Sequence, residues 1–171
     1  ITIATWKQAN FKIDRLELDL LISKVTGRSR AEIIACPQMT LSNHQLKRLN
    51  DDVRILEGGT PFAYIVGKKE FFGIELEISE SVLVPRPETE LLVEMVLAIA
   101  PKNATLLDLG TGSGAIALAV AKERPDIEVS ASDLSTSALE IARKNARSLS
   151  LNLTFFRSNW YQNLPRKKWD L

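Results

Sequence analysis

Apolar positions recur at helical spacing through the first 58 residues. Between Asp14 and Thr26, Leu18, Leu21, Ile22 and Val25 share one face, and Gly27 follows as a C-terminal cap. Ser29-Arg30-Ala31-Glu32 has capping-box spacing and opens a short helix that must end before Pro37. Ser42-Asn43-His44-Gln45 repeats the signal, followed by Leu46, Leu49, Val53 and Leu56, with Gly58-Gly59 as the stop. The expectation is a small bundle of three or four short helices. His44, in the first turn of its helix, reads as a surface or capping residue rather than a ligand or base.

From Tyr64 the period changes to two. Ile74-Glu75-Leu76-Glu77-Ile78 alternates strictly, and with Lys68 to Phe72 across Gly73 it predicts a β-hairpin. Val82-Leu83-Val84 then meets Pro85-Arg86-Pro87, an extended turn. Glu88 to Ala100 returns to helical spacing, with Leu91, Leu92, Met95, Val96 and Ile99 as its expected apolar face, and Pro101 ends it. Beyond Pro101 strands and helices alternate: strand Thr105 to Leu109, helix Gly112 to Glu123, strand Ile127 to Ser132, helix Ser135 to Ser148, strand Leu153 to Phe156, and the start of a fourth strand at Trp169-Asp170-Leu171. This alternation predicts a parallel sheet.

Composition narrows the class. The chain has 171 residues, 45% hydrophobic and 25% charged, with 22 Lys+Arg against 21 Asp+Glu, which argues against disorder. No apolar run reaches the ~18 residues of a membrane span. A single cysteine, Cys36, cannot form an internal disulfide, and no secretory signal is legible, so the cytoplasm is expected. No segment is basic enough to predict nucleic-acid binding, and Arg166-Lys167-Lys168 reads as a solvated loop. No residue pattern predicts a metal site.

The stretch that carries chemistry is Leu107-Asp108-Leu109-Gly110-Thr111-Gly112-Ser113-Gly114-Ala115. Alternate glycines between a strand and a helix let the backbone turn tightly and approach a ligand, while the helix start offers free N–H groups. The glycines alone do not separate a nicotinamide cofactor from S-adenosylmethionine. Asp108 at the strand tip can orient the loop or meet a cationic part of a ligand, and it disfavours a pyrophosphate. Asp133, ending the next strand, can accept both hydroxyls of a ribose, or it can serve the following helix as a cap.

These residues resemble the class I S-adenosylmethionine-dependent methyltransferases, and more narrowly the protein-(glutamine-N5) methyltransferases that modify peptide chain release factors. Further residues carry the narrower resemblance: Gly59-Thr60-Pro61-Phe62-Ala63-Tyr64-Ile65-Val66-Gly67, Glu70-Phe71, and Leu83-Val84-Pro85-Arg86-Pro87-Glu88-Thr89-Glu90. The resemblance implies that Gly110, Thr111, Gly112, Ser113 and Gly114 cradle the methionine portion of S-adenosylmethionine and that Asp133 holds the ribose. Asn159-Trp160 stands where the family usually has Asp-Trp along the adenine. Trp160 then supplies a stacking face, where the residues alone suggest a buried core tryptophan. Asn159 accepts a bond through its amide oxygen. Tyr64 and Arg86 are assigned to a cleft between modules.

The family's Asn-Pro-Pro-Tyr motif, which orients the substrate amide, does not occur in the sequence. No catalytic residue is therefore expected within the chain, which reads as an N-terminal fragment, inactive by itself. The implied architecture is α/β: a helical substrate-recognition domain over 1–60, a linking β-hairpin over 61–84, and the N-terminal half of a Rossmann-like methyltransferase domain over 85–171. The implied protein is a monomer that methylates a release-factor glutamine and binds neither membrane nor nucleic acid. Competing readings are a glutamine methyltransferase of a ribosomal protein, a nucleic-acid amino-methyltransferase, an NAD-dependent oxidoreductase and a non-catalytic cofactor-binding module.

Overall fold

The first four helices start where a side-chain oxygen meets the first unpaired N–H groups. In the computed structural model, which describes residues 1–171, Thr2, Asp14, Ser29 and Ser42 cap α1 (Ile3–Ala9), α2 (Arg15–Thr26), α3 (Arg30–Ala35) and α4 (Asn43–Glu57). Both predicted capping boxes form, Ser29 with Glu32 and Ser42 with Gln45, and Gly27 ends α2 with φ 71°. The chain divides into two compact units, Ile1–Val66 and Gly67–Leu171.

The first unit is all helix. Leu18, Leu21 and Ile22 of α2 are buried with Ile3, Trp6, Ile33 and Leu49, each burial contributing about 1.5–3 kcal/mol. The Trp6 indole N–H donates to Asn50 Oδ1 at 2.9 Å, so its burial leaves no orphan donor. Asp19, also buried, takes Lys7 from α1 and Arg30 from α3, joining three helices at one carboxylate. A fifth helix, α5 (Phe62–Val66), follows Pro61 where period-two spacing was expected from Tyr64; extended chain begins only after Gly67, whose φ is 77°.

The second unit opens with the predicted hairpin, β1 (Lys68–Phe71) antiparallel to β2 (Ile74–Glu77). Its two-residue turn places Phe72 at φ 47° and Gly73 at φ 69°, the pattern of a type I′ turn. The left-handed Phe72 is held there: its N–H donates to Glu90 Oε1 at 2.9 Å, and Lys122 Nζ donates to the Gly73 carbonyl at 3.1 Å. Glu90, the last acid of the Pro85 to Glu90 stretch, thus anchors the hairpin turn.

After a 3₁₀ turn (Pro87–Thr89) come α6 (Glu90–Ile99), β3 (Thr105–Leu109), α7 (Ala115–Glu123), β4 (Glu128–Asp133), α8 (Thr136–Ser148) and β5 (Thr154–Arg157). The sheet is parallel in the order β3-β4-β5, with Leu107 opposite Ser130 and Ala131 opposite Phe155. Residues 169–171 form no strand, yet Asp170 N donates to Thr105 O at 2.9 Å and Leu107 N to Leu171 O at 3.1 Å, which sets them alongside β3.

Two further expectations need correction. The helix predicted from Gly112 begins at Ala115, because Gly112 and Gly114 have φ of 56° and 85° and cannot continue an α-helix backward. On α6 the buried residue is Val93, while Leu91, Leu92, Met95 and Ile99 are 59, 50, 52 and 65% exposed. The apolar spacing there is real, but that face turns to solvent. No helix is long and apolar enough to cross a membrane.

Candidate functional site

The carboxyl ends of β3, β4 and β5 converge on the glycine loop, the edge at which open parallel sheets take ligands. The loop leaves β3 and is pinned at once to β4: the N–H groups of Gly110 and Thr111 both donate to Ser132 O at 2.9 Å. Gly112 N donates to Asp133 Oδ2 at 2.9 Å, and Gly114 N closes a turn onto Thr111 O at 2.8 Å.

The three glycines differ in what they require. At Gly110 and Gly112 a Cβ would meet nothing within 4 Å, so their φ of 74° and 56° leaves open space above the backbone. At Gly114 a Cβ would stand 2.9 Å from Leu118 Cδ1 and 3.3 Å from Ala142 Cβ, so this glycine lets α7 and α8 pack against the loop. Thr111 and Ser113 are buried.

Asp108 acts on the loop. Its Oδ2 accepts from the Thr111 hydroxyl at 2.7 Å, and its carboxylate also takes the Ala117 N–H in the first turn of α7. Burial pushes its carboxyl above the ordinary aspartate value, against the downward pull of the Thr111 and Ala117 bonds and with the nearby Asp133 charge adding to the rise.

Asp133 accepts a backbone N–H at each carboxylate oxygen. Oδ1 accepts from Ser135 N at 2.9 Å just ahead of α8, while Oδ2 holds the loop through Gly112. Ser135 is itself the cap of α8. Each Asp133 oxygen keeps a second lone pair, so accepting from a hydroxyl pair would not require breaking these bonds.

Trp160 is not a core residue. It is 69% exposed, at φ 48°, held by the Ser158 hydroxyl donating to its carbonyl at 2.6 Å. Ser158 N donates to Asp133 O at 3.0 Å, which brings the 158–160 segment beside the end of β4. Asn159 is exposed, and its carbonyl takes Gln162 N at 3.1 Å. Arg86 is an exposed residue at the start of the 3₁₀ turn, and Tyr64 is half-buried in α5 of the first unit.

Asn145 escaped sequence reasoning. It is fully buried, donating from Nδ2 to the carbonyls of Ser113 and Glu77 while Oδ1 accepts from Glu77 N. A polar residue on the apolar side of an otherwise clean amphipathic helix was the available signal.

Comparison with known proteins bears on the whole arrangement. Residues 2–67 match the PrmC N-terminal domain, and residues 87–171 match the methyltransferase small domain. The chain is 45% identical over 159 residues to a release factor glutamine methyltransferase of Coxiella burnetii, covering 91% of this chain and 57% of that protein. It is 40% identical over 159 residues to that of Escherichia coli, covering 92% and 57%.

Across 91% of its length the chain is similar to a release factor glutamine methyltransferase.

It spans less than two thirds of the length of these relatives. Among solved structures, a Pyrococcus abyssi tRNA (uracil-54, C5)-methyltransferase in complex with S-adenosyl-L-homocysteine superposes with a TM-score of 0.51 at 19% identity, covering 60% of this chain and 25% of that one. That likeness concerns the fold, which is the class I methyltransferase fold.

Proposed function

We propose that this chain supplies the S-adenosylmethionine-binding side of a release factor glutamine methyltransferase. The observation that carries the reading is the glycine loop at the ends of β3 and β4: open space above Gly110 and Gly112, Asp133 beside it, and an exposed Trp160 from the next strand end. These residues fit an adenosine cofactor with a cationic sulfonium. When bound, it supplies a methyl group already activated for transfer.

Gly110 to Gly114 then hold the amino-acid portion close to the backbone, and Asp133 accepts from the ribose hydroxyls. Trp160 offers its ring face to the adenine, and Asn159 offers an amide to the adenine edge. Asp108 keeps the loop in shape through Thr111 and the first turn of α7. The substrate proposed is the side-chain amide of a glutamine in a peptide chain release factor, with residues 1–60 serving protein recognition and Tyr64 and Arg86 serving the substrate side. The protein is proposed to be cytoplasmic.

The chain contains no Asn-Pro-Pro sequence to orient the substrate amide, so the proposal is cofactor binding without methyl transfer by these 171 residues alone. Isothermal calorimetry with S-adenosylhomocysteine and with NAD tests the first half; saturable binding of NAD alone would overturn it. Incubation with release factor and labelled S-adenosylmethionine tests the second half, where methylated glutamine would refute it.

A further inference from the structure

Asn145 on α8 stands between two segments far apart in sequence. Its Oδ1 accepts from Glu77 N at 2.7 Å and its Nδ2 donates to Glu77 O at 3.1 Å, so the side-chain amide pairs with one β2 residue as a neighbouring peptide would. The same Nδ2 donates to Ser113 O at 2.9 Å. The residue is fully buried and its bond to Ser113 O is buried with it, while the two bonds to Glu77 are part-buried, so losing the Ser113 bond strands a polar group away from water.

The Ser113 carbonyl belongs to the same peptide plane as Gly114 N–H, which donates to Thr111 O at 2.8 Å. Both faces of that plane are therefore fixed, one by the loop itself and one by Asn145. Gly114, with φ 85°, follows directly and is the residue before α7. A glycine on one side of a peptide lets the plane rotate cheaply, so the bond from Asn145 selects a single loop shape.

We propose that Asn145 is a positioning residue that locks the Ser113–Gly114 peptide to the β1–β2 hairpin, so that the seating of the hairpin and the ligand-ready shape of the glycine loop are one coupled equilibrium. The functional half of this rests on the cofactor reading above; the coupling itself does not. The hairpin is also tied down at its turn by Glu90 and Lys122, so it is a firm support for the loop rather than a free arm.

Two substitutions approach the joint from opposite ends. Asn145→Ala removes all three side-chain bonds. Glu77→Pro removes the N–H that donates to Asn145 and, with the side chain, an exposed ion pair to Lys144 of small worth; it lies on the hairpin, away from any proposed ligand contact. Hydrogen–deuterium exchange of the ligand-free 171-residue chain is measured first, with circular dichroism confirming that each variant is folded. Peptides covering 110–118 are expected to exchange about tenfold faster in both variants. Wild-type exchange there in folded Glu77→Pro would overturn the coupling. Should Glu77→Pro fail to fold, Asn145→Asp decides: it keeps the acceptor for Glu77 N and loses both donors, so loop exchange must rise, and an unchanged loop refutes the proposal.

Calorimetry with S-adenosylhomocysteine follows. Both variants are expected to raise Kd about tenfold, with the double variant no weaker than Asn145→Ala alone, since the two act through one joint. Additive losses would overturn it. Absence of binding by the wild-type chain would refute the cofactor reading, while the exchange result would still decide the coupling.

Discussion

Gly112 and Gly114 sit two residues apart with left-handed backbones and opposite surroundings, so the same substitution should have different effects. Gly114→Ala puts a Cβ 2.9 Å from Leu118 Cδ1 in addition to its φ of 85°, and should cost about 2–4 kcal/mol, combining overpacking with left-handed strain. Gly112→Ala meets only the strain, about 1–2 kcal/mol, but fills the space proposed for the ligand. Chemical denaturation should rank Gly114→Ala as the less stable. Calorimetry should show the greater loss of S-adenosylhomocysteine affinity per unit of lost stability in Gly112→Ala. Equal stability losses would show that Leu118 moves aside. Titration gives a second prediction. The side-chain bond from Arg124, helped by Asn103 N–H, holds the Asp126 carboxyl well below the usual range. A depressed acid contributes stability in full above its unfolded value, near pH 4, and loses it progressively as pH falls toward the lower folded value. The melting-temperature gap between wild type and Asp126→Asn should therefore be widest near neutrality and shrink from about pH 4 downward; a gap constant to pH 2.5 would contradict it. Asp108 has the opposite sign, because burial raises its folded value and the cost of its charge is relieved on acidification. Little of this was legible beforehand: Asp108 could be placed at a strand tip, but Thr111 and Ala117 as its partners depend on how the loop folds back.

At the scale of elements, α6 is the exception. Its apolar spacing matches that of α2, yet α2 buries Leu18, Leu21 and Ile22 while α6 buries only Val93. Periodicity reports that a helix has an apolar face, and only the neighbouring elements decide whether that face is covered. Leu91, Leu92, Met95 and Ile99 form an exposed stripe of the kind that associates in solution. Sedimentation of the chain should show concentration-dependent association at micromolar protein, and Leu91→Lys with Met95→Lys should reduce it without lowering the melting temperature by more than a degree or two. Ideal monomeric behaviour of the unsubstituted chain would contradict the first part. Elements with strong local chemistry were legible, as the two capping boxes and the type I′ hairpin show. The short helices α1 and α5 were not, because seven and five residues are too few for a period to declare itself.

The whole molecule joins local order to a site made of long-range contacts. The glycine loop and Asp133 were nameable from their spacing, whereas Asn159 and Trp160 came only through the family resemblance, the residues alone having suggested a buried tryptophan. What holds them was not nameable: Gly112 meets Asp133, Ser113 meets Asn145, and Phe72 meets Glu90 across separations that no local pattern records. Such a site should be stiffened by its ligand more than the rest of the chain. Binding to the folded state alone contributes about 2.7 kcal/mol at a hundredfold excess over Kd, which for a unit of this size raises the melting temperature by on the order of 10 °C. S-adenosylhomocysteine should produce that shift, and hydrogen exchange should slow chiefly at 110–118, at 132–135 and around 158–162, where the ends of β3, β4 and β5 meet. Asp133→Ala should abolish most of the shift, since it removes both the proposed ribose acceptor and the brace on Gly112 N. Protection confined to residues 1–66, or a shift with NAD and none with S-adenosylhomocysteine, would place the ligand elsewhere and dismantle the reading of the glycine loop.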